Sequence, residues 1–326
     1  MAYTTIDNPA EYFNVAIYTG NGGTQSITGI GHQPDFVWIK QRNAAVYHWL
    51  ANSSTGVTKY LNSNDSRAEQ TETTQITSFD SDGFSLGNKT NTNDNSDTYV
   101  AWAWKESATA GFDIITYSGT GSAKTESHSL SATPHWIITK CRSDAQSWAT
   151  HHKSYSATEK VMYLDNDNAV ASTDPDWLTA VSSSTISLGG SGSDANTSGR
   201  TYVAYLWSEK QGFSKFGSYT GNGNADGPMN YLGFKPAFVI TKLSSSSGGS
   251  WNIFDNKREG YNVDNDPVFA DVDSAETTTD YLDFLSNGFK IRRNSSDINT
   301  SGATYLYMAF AESPFVNSNG VPNNAR

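Results

Sequence analysis

The side chains best suited to chemistry here are acids and amides in turns, tryptophans near strand ends, and glycines in short loops. Asp/Asn runs follow an apolar residue three times: Leu61-Asn62-Ser63-Asn64-Asp65, Leu164-Asp165-Asn166-Asp167-Asn168 and Val263-Asp264-Asn265-Asp266. Hard oxygen ligands at alternate positions are what calcium takes. Asp165, Asp167, Asp264 and Asp266 are therefore the calcium candidates, and no other cofactor is indicated. None of the runs has the glycine at six and glutamate at twelve of a helix–loop–helix calcium site. Polar turns are the plainer reading.

Trp49, Trp148 and Trp251 stand nine, eight and nine residues after a lysine that itself recurs. An indole can stack on the apolar face of a sugar, or fill a core, where burying roughly 150–250 Å² is worth ~4–6 kcal/mol. Recurrence favours the core. Unrepeated aromatics, Trp177, Tyr47 and Tyr261, are better placed for a specific contact. The ligand-binding candidates are thus Trp49, Trp148, Trp251 and Trp177.

The remaining signals are weak as chemistry. Gly20-Asn21-Gly22, Gly119-Thr120-Gly121 and Gly221-Asn222-Gly223 could cradle a phosphate only if a helix followed, and strand-like sequence follows instead. They read as hairpin turns. Neighbouring His151 and His152 in a strand point to opposite faces, so they do not chelate one metal easily; they read as a surface pair. Cys141 is the only cysteine, which excludes an intrachain disulfide and reads as a small buried apolar side chain. There is no Gly-x-Ser-x-Gly elbow, and no carboxylate pair can be placed across a cleft. The chain is read as not an enzyme.

The elements that carry these residues come in three copies. Tyr18-Thr19-Gly20, Pro34 to Lys40 and Thr98 to Trp104 recur as Tyr117-Ser118-Gly119, Pro134 to Lys140 and Thr201 to Trp207. They recur again as Tyr219-Thr220-Gly221, Pro236 to Lys242 and Thr304 to Phe310. Tyr99, Tyr202 and Tyr305 are 103 residues apart each time. Units of this length can each bury a core. The expected organisation is an arm (1–12), repeats at 13–109, 110–210 and 211–313, and an extended tail (314–326), with short fixed joints between repeats.

Within a repeat the apolar period is two. Val100, Trp102 and Trp104 share one strand face, and Tyr99, Ala101 and Ala103 the other. The bulky set is the expected inward face, and both faces are covered. The lysine that ends each proline-led run marks where the strand reaches water. No helical period is sustained. The predicted fold is all-β: three tandem antiparallel β-sandwich, jelly-roll-like domains.

A net charge of −11 repels phosphate backbones, which argues against nucleic acid. No apolar run is long enough to span a membrane, and Met1 to Asn14 lack a secretion signal, so synthesis in a cytoplasm is expected. Charged residues are 17% and aromatics 13%, a neutral polar surface over an aromatic core.

Tyr18 to Gly22, Pro34 to Asn43, Ser81 to Gly87, Tyr99 to Lys105 and the ending Glu312 to Arg326 resemble a β domain of uncharacterised function in tailed phages of marine bacteria, including cyanophages. The likeness is strongest in the first repeat. The resemblance implies a virion protein, structural or tail-fibre-like, and brings no catalytic residues. The leading expectation is a tail-fibre or spike component that attaches to host-surface glycans by weak multivalent contacts. The alternative is a capsid decoration or head-fibre protein whose three repeats imitate a trimer. A polysaccharide depolymerase is the third reading. Expected partners are other virion proteins and host polysaccharide, in a homo-oligomer such as a trimer.

Overall fold

Alternating aromatic and β-branched residues pair where the period-two runs occur, and every strand pairing is antiparallel. A computed structural model describes residues 2–170, 177–190, 194–258 and 266–323. Tyr261, Asp264 and the last three tail residues lie outside the described residues. Among the described residues no helix is long and apolar enough to cross a membrane.

Each copy builds the same main sheet from an opening, a closing, a proline-led and a fourth strand, in that spatial order. In the first copy these are Phe13–Thr19, Thr98–Trp104, Phe36–Gln41 and Trp49–Asn52. The second uses Phe112–Ser118, Thr201–Trp207, Trp136–Cys141 and Ala149–His152. The third uses Ser214–Thr220, Thr304–Pro314, Phe234–Leu243 and Asn252–Asp255. Proline precedes the strand in two copies. In the third, Pro236 sits inside it at a register shift, where a missing N–H is tolerated.

A three-stranded sheet faces each main sheet: Gln25–Thr28, Gly83–Leu86 and Ile76–Asp80 in the first copy, with counterparts in the other two. Between the sheets lies a buried cluster, in the first copy Val37, Ile39, Trp49, Phe84, Leu86, Tyr99, Ala101 and Ala103. The smaller residues of the closing strand thus face the copy's own second sheet.

The bulky face points the other way. Val100, Trp102 and Trp104 join Val203, Tyr205 and Trp207, and Leu306, Met308 and Phe310, in one cluster shared by all three copies. It is the largest apolar cluster among the described residues. The copies are therefore not three self-contained domains; they are lobes around a common aromatic core. A void of about 10 Å³ remains where Phe36, Trp136, Trp207, Phe238 and Met308 converge, at the lower limit of space for one water and without polar partners to hold it. The axis is packed and is not a channel.

The arm packs against the body. Ile6 is buried in the shared core, Tyr3 Oη donates to Gly233 O at 2.8 Å, and Asp7 accepts from Ser318 N at 2.7 Å. Arm and tail close on the third lobe instead of reaching outward.

Candidate functional site

Strand register shows what the recurrent residues do. Ile39, Thr139 and Thr241 lie opposite Trp49, Ala149 and Asn252. The residues equivalent to Trp148 and Trp251 are thus each other and His48, while Trp49 stands one position later. A one-residue step in a strand reverses the face. Trp49 packs inside the first lobe, its ring 3.8 Å from that of Tyr60. Trp148 and Trp251 enter the shared core.

There the ring N–H groups cross between lobes. Trp148 Nε1 donates to Asn62 O at 2.8 Å, Trp251 Nε1 to Tyr163 O at 2.9 Å, and His48 Nε2 to Phe269 O at 2.8 Å. The three acceptors are equivalent positions, so the contacts run second to first, third to second and first to third. A second cycle runs the opposite way. Asn52 Nδ2 donates to Tyr205 Oη at 3.0 Å, His152 Nε2 to Tyr307 O at 3.3 Å, and Asp255 Oδ2 accepts from Trp102 Nε1 at 3.1 Å.

The recurrent lysines belong to the same seams. Lys40, Lys140 and Lys242 are fully buried and do not mark an exit to water. Lys140 Nζ donates to Ser66 O at 2.9 Å and Gln146 O at 2.7 Å; Lys242 Nζ donates to Asp167 O at 3.0 Å and Gly249 O at 2.6 Å. Lys40 bonds carbonyls of its own lobe and feels the field of Asp273 across the seam. Burial pulls all three down to about 8. A buried ammonium costs free energy unless its donors are met, and carbonyls meet them here.

Paired Arg and Glu complete two seams. Arg42 binds Glu276 through Nε at 2.8 Å and Nη2 at 3.0 Å, and Arg142 binds Glu69 at 2.8 and 2.9 Å. At the third seam the corresponding residues are Ser244 and Val170, joined by a backbone bond of 3.1 Å.

These placements correct several expectations. Trp49, Trp148, Trp251 and Trp177 are at most 4% exposed, so none can offer an indole face to a sugar. His151 and His152 are buried, on opposite faces as their adjacency requires. Asp165 accepts the Trp148 N–H at 3.1 Å, and burial raises its pKa. Asp167 lends its carbonyl to Lys242, and Asp266 lends its own to Arg258 Nη1 at 2.8 Å. Among the described residues no cluster of three or more His, Cys, Asp or Glu could hold a metal. Of these candidates Asp167 reaches across a seam, while Asp165 and Asp266 bond within their own lobes. Cys141 is buried in the second lobe's cluster.

The glycine loops are turns closed by an asparagine that the sequence reading overlooked. Asn93, Asn196 and Asn299, fully buried, accept from Asn21 N, Thr120 N and Asn222 N at 3.0, 3.0 and 2.8 Å. Their spacing, again 103 residues each time, was the available signal. A Cβ on Gly119 would stand 2.1 Å from Thr197 O, which is why the loop's first residue must be glycine.

The groove with exposed aromatic surface belongs to one lobe. A half-open groove of about 390 Å³ lies between the arm, the joint after the second lobe and the edge strand Met229–Tyr231. Tyr231 is 50% exposed along it. Lys215 Nζ donates to Tyr231 O at 2.8 Å and sits 5.3 Å from its ring centroid. Tyr3 lines the far wall, its phenol pushed up to about 12 by burial and a hydrogen bond with Tyr231. Glu209 is ion-paired with Lys153 and accepts from Phe216 N at 3.3 Å. By register, Lys215 corresponds to Asn14 and Asp113, and Tyr231 to Thr28 and Ser127. The other two lobes therefore lack both residues. Of the unrepeated aromatics singled out from the sequence, Trp177 is buried and Tyr47 lies under the Arg67 guanidinium at 4.6 Å.

No curated protein matches this sequence. Residues 8–314 match the model of a family described as Domain of unknown function (DUF7483), and the chain belongs to that family.

Proposed function

We propose that this chain is a non-catalytic structural protein of a virion surface, in which one polypeptide takes the place of a trimer. The observation that carries the reading is the closed cycle of seams around a shared aromatic core. Each lobe contacts both others through equivalent residues, so the body has pseudo-threefold symmetry and behaves as one rigid piece. Such a body fits a threefold position on a particle without assembling there from separate subunits. The phage-like residues of the first copy supply the virion context, and this favours a decoration or cap over a flexible fibre.

The test is electron microscopy of intact particles carrying a labelled copy of the chain. Label on the head, at threefold positions, is the expected result. Label confined to the tail tip would sink the cap and leave an attachment fibre. That second reading draws support from the groove on the third lobe, whose exposed tyrosine and half-buried lysine suit a surface glycan.

A further inference from the structure

We propose that the groove beside Tyr231 binds an acidic hexose, a uronate unit of a polysaccharide. The inference rests on the attachment reading for its biological use, but the binding is a property of the groove alone. Its volume, about 390 Å³, is at the small end of ligand pockets and suits one or two sugar rings. The exposed face of Tyr231 supplies the flat apolar surface that the C–H groups of a pyranose need.

Charge selects the class of sugar. Lys215 Nζ donates one hydrogen bond, to the carbonyl Tyr231 O, and its ammonium lies over a neutral ring. An ammonium has three donors, so capacity remains for a carboxylate on the ligand. Glu209 is the acid at the groove, and Lys153 already neutralises it. The tyrosine hydroxyls and exposed Gln211 add donors and acceptors for ring hydroxyls. The counterpart of Lys215 is an asparagine in one sister lobe and an acid, Asp113, in the other, and neither favours a uronate. The molecule therefore carries one such site, on the lobe where arm and tail also close.

The test titrates the full chain with methyl β-glucuronide and methyl β-glucoside at low salt, followed by saturation-transfer NMR. The expected result is weak binding of the glucuronide, about tenfold tighter than the glucoside, as one charge-assisted hydrogen bond provides. Lys215→Met should erase that tenfold preference, and Tyr231→Ala should remove binding of both sugars. Thermal melts of each variant separate lost binding from lost folding. Equal affinity for the two sugars, wild-type binding by folded Tyr231→Ala, or no binding of either sugar would overturn the proposal. None of these results bears on where the chain sits on a particle, so the two proposals fail separately.

Discussion

Asp255 concentrates charge at the seam between the third and first lobes. Its Oδ2 accepts from Trp102 Nε1 and from Arg258 Nε, the latter at 2.7 Å, and Arg258 Nη1 reaches Glu276 at 3.2 Å, which in turn holds Arg42. Asp255 is 1% exposed and Arg258 is 7% exposed. Truncating one partner of a buried charge network typically costs about 3–5 kcal/mol, and here Arg258 would keep only Glu276 as its carboxylate partner. Asp255→Ala should therefore lower the unfolding free energy measured by urea denaturation by about that much; a loss below about 1 kcal/mol would show the network to be idle. Residues of this kind were hard to read from sequence. Asn52, His152 and Asp255 are equivalent positions of three different types, so no recurrence flags them. Tyr99 and its two counterparts were legible because each stacks on an opening-strand tyrosine, at 5.0, 5.2 and 5.1 Å, in every copy.

At the scale of strands, periodicity disclosed which residues share a face but not what each face meets. A sheet covered on both sides has two apolar faces, and only packing tells the lobe interior from the shared core. The tryptophan offsets misled for a similar reason: counting from the lysine ignores that the loop before Trp251 is one residue longer than that before Trp148. The shared core also accounts for the drift of the third copy. Trp102, Tyr205 and Met308 occupy equivalent positions in the shared core, and Met308 lines its void of about 10 Å³, which leaves little room for a larger side chain there. Met308→Trp, which copies the residue of the first lobe, should destabilise by about 1–3 kcal/mol through overpacking, whereas Met308→Leu should cost less than about 1.5 kcal/mol. Chemical denaturation of both variants checks this; a neutral Met308→Trp would mean that the axis is looser than its packing indicates.

Across the whole molecule, two of the crossing contacts are histidines held neutral. His48 Nδ1 accepts from Trp38 Nε1 at 2.8 Å, and His152 Nδ1 accepts from Ser154 N at 3.1 Å, while each Nε2 donates across a seam. Protonation would set two donors face to face, and burial lowers both rings to about 3. The unfolded chain takes up these protons near 6.5 and the folded chain does not. Stability from both is whole above pH 6.5 and is lost as pH falls towards 3, at about 1.4 kcal/mol per pH unit for each ring. Melting temperature should therefore fall steeply between pH 6.5 and 4, and replacing both histidines by glutamine should flatten the slope. An unchanged slope in the double variant would exclude these rings as its origin.

The covalent joints between the lobes have a consequence for behaviour in dilute solution. Three separate subunits with these seams would part when scarce, and their melting point would track concentration. Here each lobe is tethered to its neighbours, so re-docking is an intramolecular event that dilution cannot slow. Nor can subunits be exchanged between molecules. A single copy in dilute buffer would keep its shape as well as a crowded one.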